Sequence, residues 1–383
     1  MNEYVEYLSD NKSFKYDNLE AKCPNDLIKV NSNNYKIFLF KNYHLGNSQN
    51  DIWEIKLTSS NITCGFLLPI TRLDDSELIL SDETVSEKTI QSINKYKYAC
   101  YELLLKNYIS NKYKIDDKEI SISDLYPDFY ILILCNKFIG NFNIYNYLPY
   151  LYKLRFIYVD FSKINVPLPN FHQNKRDLTE IYKKNKAIKL FPTFSDISKY
   201  EYIKNLFEED LISVDNNLAR FMMLYQIIEI YIENRLEYCA QKYLHDYERK
   251  ICNFNDFKEN INKMQKERTR IDSLLKLKAF DNNFENEYKN LNFMQYEASD
   301  SLGVLLYNLR NKIVHSFHSI EKTSLLNNLI DEMELILIEL LLQKPINIQE
   351  CIREKAYFIS LENPANSEID NWFLAEQECK EFK

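Results

Sequence analysis

Apolar and polar positions change rhythm near the middle of the chain. Before residue 82 the apolar positions come in short runs at 35–40, 52–57 and 63–68, rich in β-branched, aromatic and aliphatic side chains. Asn/Ser/Asp clusters at 46–51 and 59–61 separate them, a hairpin-like rhythm that predicts strands. Residues 78–80 are a further short strand candidate. Over 86–111 the spacing turns helical, with Ile90, Ile93, Tyr96, Tyr98, Leu103 and Leu104. The stretch 118–160 is mixed. Its run at 130–135 suits either a buried strand or a helix, because periodicity cannot separate the two, and 155–160 reads as a strand.

Pro167 and Pro169 mark a boundary, and Pro192 repeats the break before the N-cap-like run Ser195-Asp196-Ile197. Long helices follow. In 213–244 the residues Leu218, Met222, Tyr225, Ile228 and Ile232 share a face. A more polar helix is expected at 253–277. Another spans 299–315, with Leu302, Leu305, Leu306, Leu309 and Ile313 in a stripe, and a last one spans 323–343 until Pro345 stops it. The expected class is α+β. A mixed, β-containing N-terminal domain (1–190) precedes an all-α bundle (191–345), and an acidic extension (346–383) follows. Trp372 and Phe373 in the extension are expected to pack on the protein or on a partner.

Composition mainly excludes. The four glycines, Gly46, Gly65, Gly140 and Gly303, are too scattered for a P-loop or a dinucleotide-binding turn, so no nucleotide cofactor is expected. None of the eight cysteines forms a C-x-x-C pair or sits beside a histidine at zinc spacing. Asp74, Asp75 and Glu77 cluster without a histidine, so no metal site is expected either. The polar, acidic opening Met1-Asn2-Glu3-Tyr4 does not read as a signal peptide, and the apolar runs are too short to span a bilayer. A cytoplasmic protein with reduced, buried thiols is expected.

The net charge of −8 argues against broad, non-specific nucleic-acid binding, though not against a local basic cleft. Two basic runs stand out. One, at 173–189, carries Lys175, Arg176, Lys183, Lys184, Lys186 and Lys189. The other, at 263–270, carries Lys263, Lys266, Arg268 and Arg270. Each is either a solvated face or a track for an RNA backbone.

The most telling run is Arg310-Asn311-Lys312-Ile313-Val314-His315. Arginine offers phosphate a planar, permanently charged fork, and histidine exchanges a proton near neutral pH. On an ideal helix Asn311 and His315 share a face, while Arg310 lies about 140° from His315 around the axis. One helix therefore presents these groups on a broad front rather than as a tight pair.

Arginine, a polar residue and then histidine at this spacing resembles the signature of the HEPN superfamily. The resemblance extends over roughly 195–345 and includes the helix around Tyr225-Gln226-x-x-Glu229. It implies a helical bundle that dimerises so that two motifs meet across a symmetric cleft. Many members are metal-independent ribonucleases of toxin–antitoxin, CRISPR and phage-defence systems; others are non-catalytic. The implied reaction is attack of an RNA 2′-OH on its own phosphodiester, leaving 2′,3′-cyclic phosphate and 5′-OH ends. His315 would serve as general base or acid, Arg310 would stabilise charge on the phosphate, and Asn311 would orient the phosphate or the imidazole.

Supporting roles fall to Gln226 and Glu229, where Glu229 either pairs with Arg310 or is a solvated charge. Lys312 either adds charge or is simply solvated, and His318 either extends the site or is a helix-end residue. The partners expected are RNA, a second copy of the chain, and an antitoxin or phage-derived trigger; residues 1–190 are expected either to sense such a signal or to deliver the RNA substrate. The competing reading is a non-catalytic dimerisation or binding protein. No nucleophile–base set occurs in 1–190 to favour an N-terminal enzyme.

Overall fold

The computed structural model describes residues 5–8, 13–16, 19–23, 27–42, 52–58, 62–74, 87–110, 119–163, 187–193, 197, 200–214, 216–248, 250–275, 283–291, 293–316, 324–342, 356, 359 and 367–381. A β-sheet region forms the N-terminal part, and a mostly helical half follows.

The strands are β1 (Glu6–Leu8), β2 (Ser13–Tyr16), β3 (Leu19–Lys22), β4 (Tyr35–Lys41), β5 (Trp53–Leu57), β6 (Thr63–Pro69), β7 (Glu119–Ile120), β8 (Tyr130–Cys135), β9 (Ile157–Val159) and β10 (Ala187–Leu190). The main sheet has the order β10-β5-β6-β8-β4-β9, and β1-β2-β3-β7 form a second, small sheet. Within the main sheet only the β10–β5 pair is parallel.

Strand β8 shows why the sheet lies inside the molecule. Tyr130, Leu132 and Leu134 point into one hydrophobic core, and Ile131 and Ile133 into another. Both faces are covered, so the strand reads as an unbroken apolar run rather than an alternating one. That is also why its sequence suits helix or strand equally. Gly65 on β6 lies opposite Leu134, and a Cβ there would stand 2.0 Å from the Ile133 carbonyl oxygen. Only glycine fits this crossing.

One face of the sheet packs on helix α1 (Glu87–Ser110) through Ile93, Tyr96, Ala99 and Leu104. The other packs on α2 (Leu148–Lys153) and on the helical half. That half contains α3 (Asn217–Glu248), α4 (Phe254–Met264), α5 (Glu267–Leu275), α6 (Asn283–Lys289), α7 (Leu302–Ser316) and α8 (Ser324–Leu342). A last helix, α9, spans Glu368–Glu381. Helix α3 packs against α4, α5, α7 and α8, and α5 packs against α7. Trp53 and Leu132 of the sheet share one hydrophobic cluster with Phe221, Leu309 and Leu337 of the helices. The core therefore runs without a break across residue 190.

Several expectations shift in detail. The 52–57 and 63–68 runs do form an antiparallel hairpin, but β4 pairs with β8 and β9 instead of β5. The end of the basic run 173–189 belongs to β10, where Ile188 and Leu190 point inward and Lys189 outward. The single helix expected at 253–277 is two, because the chain turns at Gln265 and Lys266. In α9, Ala375 and Asn371 are buried and Trp372 is half-buried, while Phe373 is exposed. The strand candidate 78–80 and the cap-like residues Ser195 and Asp196 lie outside the described residues.

Where α2, α3 and α8 meet, Arg220 is fully buried. It forms an ion pair with the equally buried Glu334 and donates to the Tyr152 hydroxyl at 2.7 Å and to the Leu211 carbonyl at 2.5 Å. Burial disfavours the Arg220 charge, and Glu334 and Tyr152 outweigh it, so the guanidinium stays charged. Removing one partner of such a pair strands the other. Glu334→Ala is therefore expected to cost about 3–5 kcal/mol, while Arg220→Met/Glu334→Leu costs less than the single change. Urea unfolding of the three proteins measures this, and a double variant weaker than Glu334→Ala contradicts it.

Candidate functional site

Helix α7 carries the Arg310–His315 run, and its placement begins with two small residues. Ser301 caps the helix: its carbonyl accepts from Leu305 N at 3.0 Å, and its hydroxyl accepts from Val304 N at 3.4 Å and donates to Asp272 on α5. Gly303 then lies against the α5 backbone, where a Cβ would stand 2.5 Å from the Asp272 Cα. Leu305, Leu306, Leu309 and Ile313 bury the inner stripe. Positions 310, 311, 312, 314 and 315 are left facing outward to varying degrees.

Arg310 is partly buried, with Nη2 3.7 Å from Glu229 Oε1 of α3. Its Nη1 donates to Asn311 Oδ1 at 3.2 Å. The guanidinium carbon lies 5.7 Å from the centre of the Tyr225 ring, a cation–π approach. Gln226 Nε2 donates to the other oxygen of Glu229 at 2.7 Å. The Tyr225 hydroxyl donates to Glu267 Oε1 at 2.9 Å, tying α3 to α5. Burial, and then Glu267, raise the Tyr225 pKa, so this hydroxyl is a brace and not a base. Nearby, Tyr202 donates to the Met223 carbonyl at 2.8 Å, and burial together with Asp210 and Glu229 pushes its pKa up to about 12.

Four of the sequence-derived site residues thus come together: Arg310, Asn311, Glu229 and Gln226. His315 is exposed about one turn beyond Asn311, and among the described residues no hydrogen bond or ion pair joins it to Arg310. Lys312 is half-buried on the same helix. His318 lies outside the described residues, as do Lys175, Arg176, Lys183, Lys184 and Lys186. Sequence reasoning did not find Tyr225 as the platform under Arg310, Glu267 as its brace, or Gly303 as the close-approach point. A lone glycine inside a helical stripe of a glycine-poor chain is a usable sign of the last. The Tyr225–Glu267 bond crosses 42 residues and leaves no local trace.

Among the described residues no three His, Cys, Asp or Glu side chains converge as a metal site. No described helix is long and apolar enough to cross a membrane. Comparison with protein-family models, with curated proteins and with solved structures finds no match for this chain.

The Arg310–Glu229 pair is long and partly solvated, so it contributes under about 1 kcal/mol. Glu229→Gln is therefore expected to change stability by less than about 1 kcal/mol. Gly303→Ala, which must push α5 and α7 apart, should cost about 1–3 kcal/mol. Urea midpoints of the two variants check the contrast. Equal losses would mean that Glu229 has a structural weight the geometry does not give it.

Proposed function

We propose that this protein is a metal-independent endoribonuclease of the HEPN type, acting as a toxin or phage-defence effector. The observation that carries the reading is Arg310: a guanidinium backed by Tyr225, presented beside Asn311, and held by an exchangeable carboxylate. His315 is exposed on the same helix. An incoming phosphodiester takes the place of Glu229 on Arg310, and Asn311 offers it a further polar contact.

The 2′-OH of the substrate attacks the adjacent phosphorus. One histidine removes the 2′ proton, the P–O5′ bond breaks, and a second proton donor protonates the 5′ oxygen. The products carry 2′,3′-cyclic phosphate and 5′-OH ends. No metal is required, because the nucleophile belongs to the substrate.

The geometry also favours a composite site. Arg310 turns toward α3 while His315 faces solvent, so one copy does not close a pocket around a phosphate. A two-fold dimer that apposes the outer faces of α7 places the histidine of one copy beside the arginine of the other. The exposed Val314 next to His315 suits such a contact.

A second reading has its own support. Glu229 sits 3.7 Å from Arg310 and takes up part of its charge, an arrangement that a non-catalytic binding or dimerisation protein would also show. Purified protein in excess EDTA distinguishes the two. The expected outcome is RNA cleavage to cyclic-phosphate ends, reduced at least a hundredfold in His315→Ala, within the usual range for losing an acid–base group. Arg310→Ala should be reduced comparably, and sedimentation should give a dimer. Cleavage that stops with EDTA and returns with Mg²⁺ overturns the mechanism; no cleavage under any condition leaves the binding reading.

A further inference from the structure

Helix α3 is long, and its C-terminal end forms an arm with α4. The chain reverses through a Schellman turn: Ile251 N donates to Asp246 O at 2.9 Å and Lys250 N to Tyr247 O at 2.9 Å, with Lys250 at φ 60°. Asn253 then caps α4, and Tyr247 contacts Phe257 at 5.6 Å, so α4 runs back along α3. In a Schellman turn the apolar residue after the left-handed position commonly packs back on the helix. Here Ile251 is 64% exposed. Leu244 is 47%, Tyr247 40% and Phe254 59% exposed beside it. Tyr247 and Phe254 stand edge to face at 6.1 Å. Large apolar side chains gathered at an outer tip call for a ligand.

Charge identifies which ligand. Residues 242–270 contain eight Lys or Arg and five Asp or Glu, a net of +3 in a chain whose total is −8. Three of those acids are engaged within the fold (Asp256 in the α4 capping box, Glu259 on Lys263 at 2.6 Å, and Glu267 on Tyr225), and so are three of the bases: Lys263 on Glu259, Arg268 with Asp300 at 3.9 Å, and Arg270 with Glu233 at 2.7 Å. Lys250, Lys258 and Lys266 are exposed, and no ion pair holds them among the described residues. Phe254, Lys258 and Asn262 are all exposed at four-residue spacing along α4, and the exposed Lys266 lies in the turn that follows the helix. This stripe ends at Glu267, which holds Tyr225, whose ring backs Arg310.

We infer that the α3–α4 arm is a binding track for single-stranded RNA that leads to the Arg310 site. Bases stack on Tyr247 and Phe254 at the tip, and Lys250, Lys258 and Lys266 take the phosphates along the way. The inference rests on the ribonuclease reading. Tyr247 lies eighteen residues beyond Glu229 on one helix, about 27 Å at 1.5 Å per residue. A stacked strand covers that distance in about eight nucleotides at 3.4 Å each. Substrates shorter than this reach the site or the tip, but not both.

The test uses the full-length protein carrying His315→Ala, with fluorescein-labelled uridine oligomers of six and twenty nucleotides read by fluorescence anisotropy. Tyr247→Ala/Phe254→Ala is expected to weaken binding of the 20-mer at least tenfold, since each stacked base is worth about 1–3 kcal/mol. The 6-mer should be much less affected. Tyr247→Phe/Phe254→Tyr should restore the 20-mer, because it keeps both rings. Lys250→Ala/Lys258→Ala/Lys266→Ala should lower the salt dependence of 20-mer binding by about two in log–log slope.

Equal 20-mer binding by the double-alanine variant overturns the inference, as does a parent protein that does not bind the 20-mer. So does a double variant that loses its dimer by sedimentation while keeping RNA affinity, which would make the tip a protein contact. The ribonuclease reading is judged separately by cleavage with an intact His315. A protein that binds through the arm and cuts nothing keeps the inference and loses that reading.

Discussion

Arg220, paired with Glu334 on α8 and bonded to Tyr152 on α2, ties the two halves of the molecule together. A charged pair in an apolar core is costly to desolvate and is sustained only by good geometry and further hydrogen bonds. Arg220 has both. It reaches Glu334 on α8, Tyr152 on α2 and the carbonyl of Leu211, so three segments converge on one guanidinium. Sliding α3 by one residue would strand that charge. Tyr225, Gln226 and Glu229 follow on the same helix within about two and a half turns. Whatever holds Arg220 therefore also sets where the carboxylate opposite Arg310 stands.

Arg310 is built from similar parts with the opposite result. Each arginine meets a glutamate and a tyrosine. Around Arg220 both partners are buried, so the electrostatic field is strong and the arrangement has no alternative. Around Arg310 water reaches the pair, the separation is longer, and the tyrosine offers its face instead of its hydroxyl. The exposed pair is weak enough to be exchanged. The same chemistry gives a fixed joint at one depth and a loosely held arginine at another. The two halves are also physically connected: residues 1–190 supply Tyr152 to the buried joint, and α3 runs from that joint to Glu229, opposite Arg310.

Legibility in the sequence followed the range of the interaction. The strands at 35–40, 52–57 and 63–68 and the helices at 86–111, 213–244, 299–315 and 323–343 were readable because each buries a face with a local period. The 130–135 run was not decidable, because Ile131 and Leu132 feed different cores and the period disappears when both faces are buried. Strands β1, β2, β3 and β7 have two to four residues each, too few to show any period. The turn at Gln265 sits in a charge-rich stretch where little apolar pattern marks the change of direction. The same limit applies to the site. Arg310, Asn311 and Glu229 carried a motif or a helical spacing, whereas Arg220 and Tyr225 act through partners 114 and 42 residues away.

On the proposed RNA reading, an acidic protein faces a problem of range. At physiological salt a charge is felt over about 8 Å, so net charge governs approach only where the surface is uniform. Segregating the charge removes the conflict. With +3 in residues 242–270, the remainder of the chain carries −11, although it includes the second basic run at 173–189. On the proposed reading, the α3–α4 arm is an attractive region for an approaching strand among the described residues. The site then needs little attraction of its own, which fits an Arg310 whose charge is only partly offset by Glu229 at 3.7 Å. Recognition, on that same reading, lies where the surface is aromatic and basic, and chemistry where the arginine is held loosely.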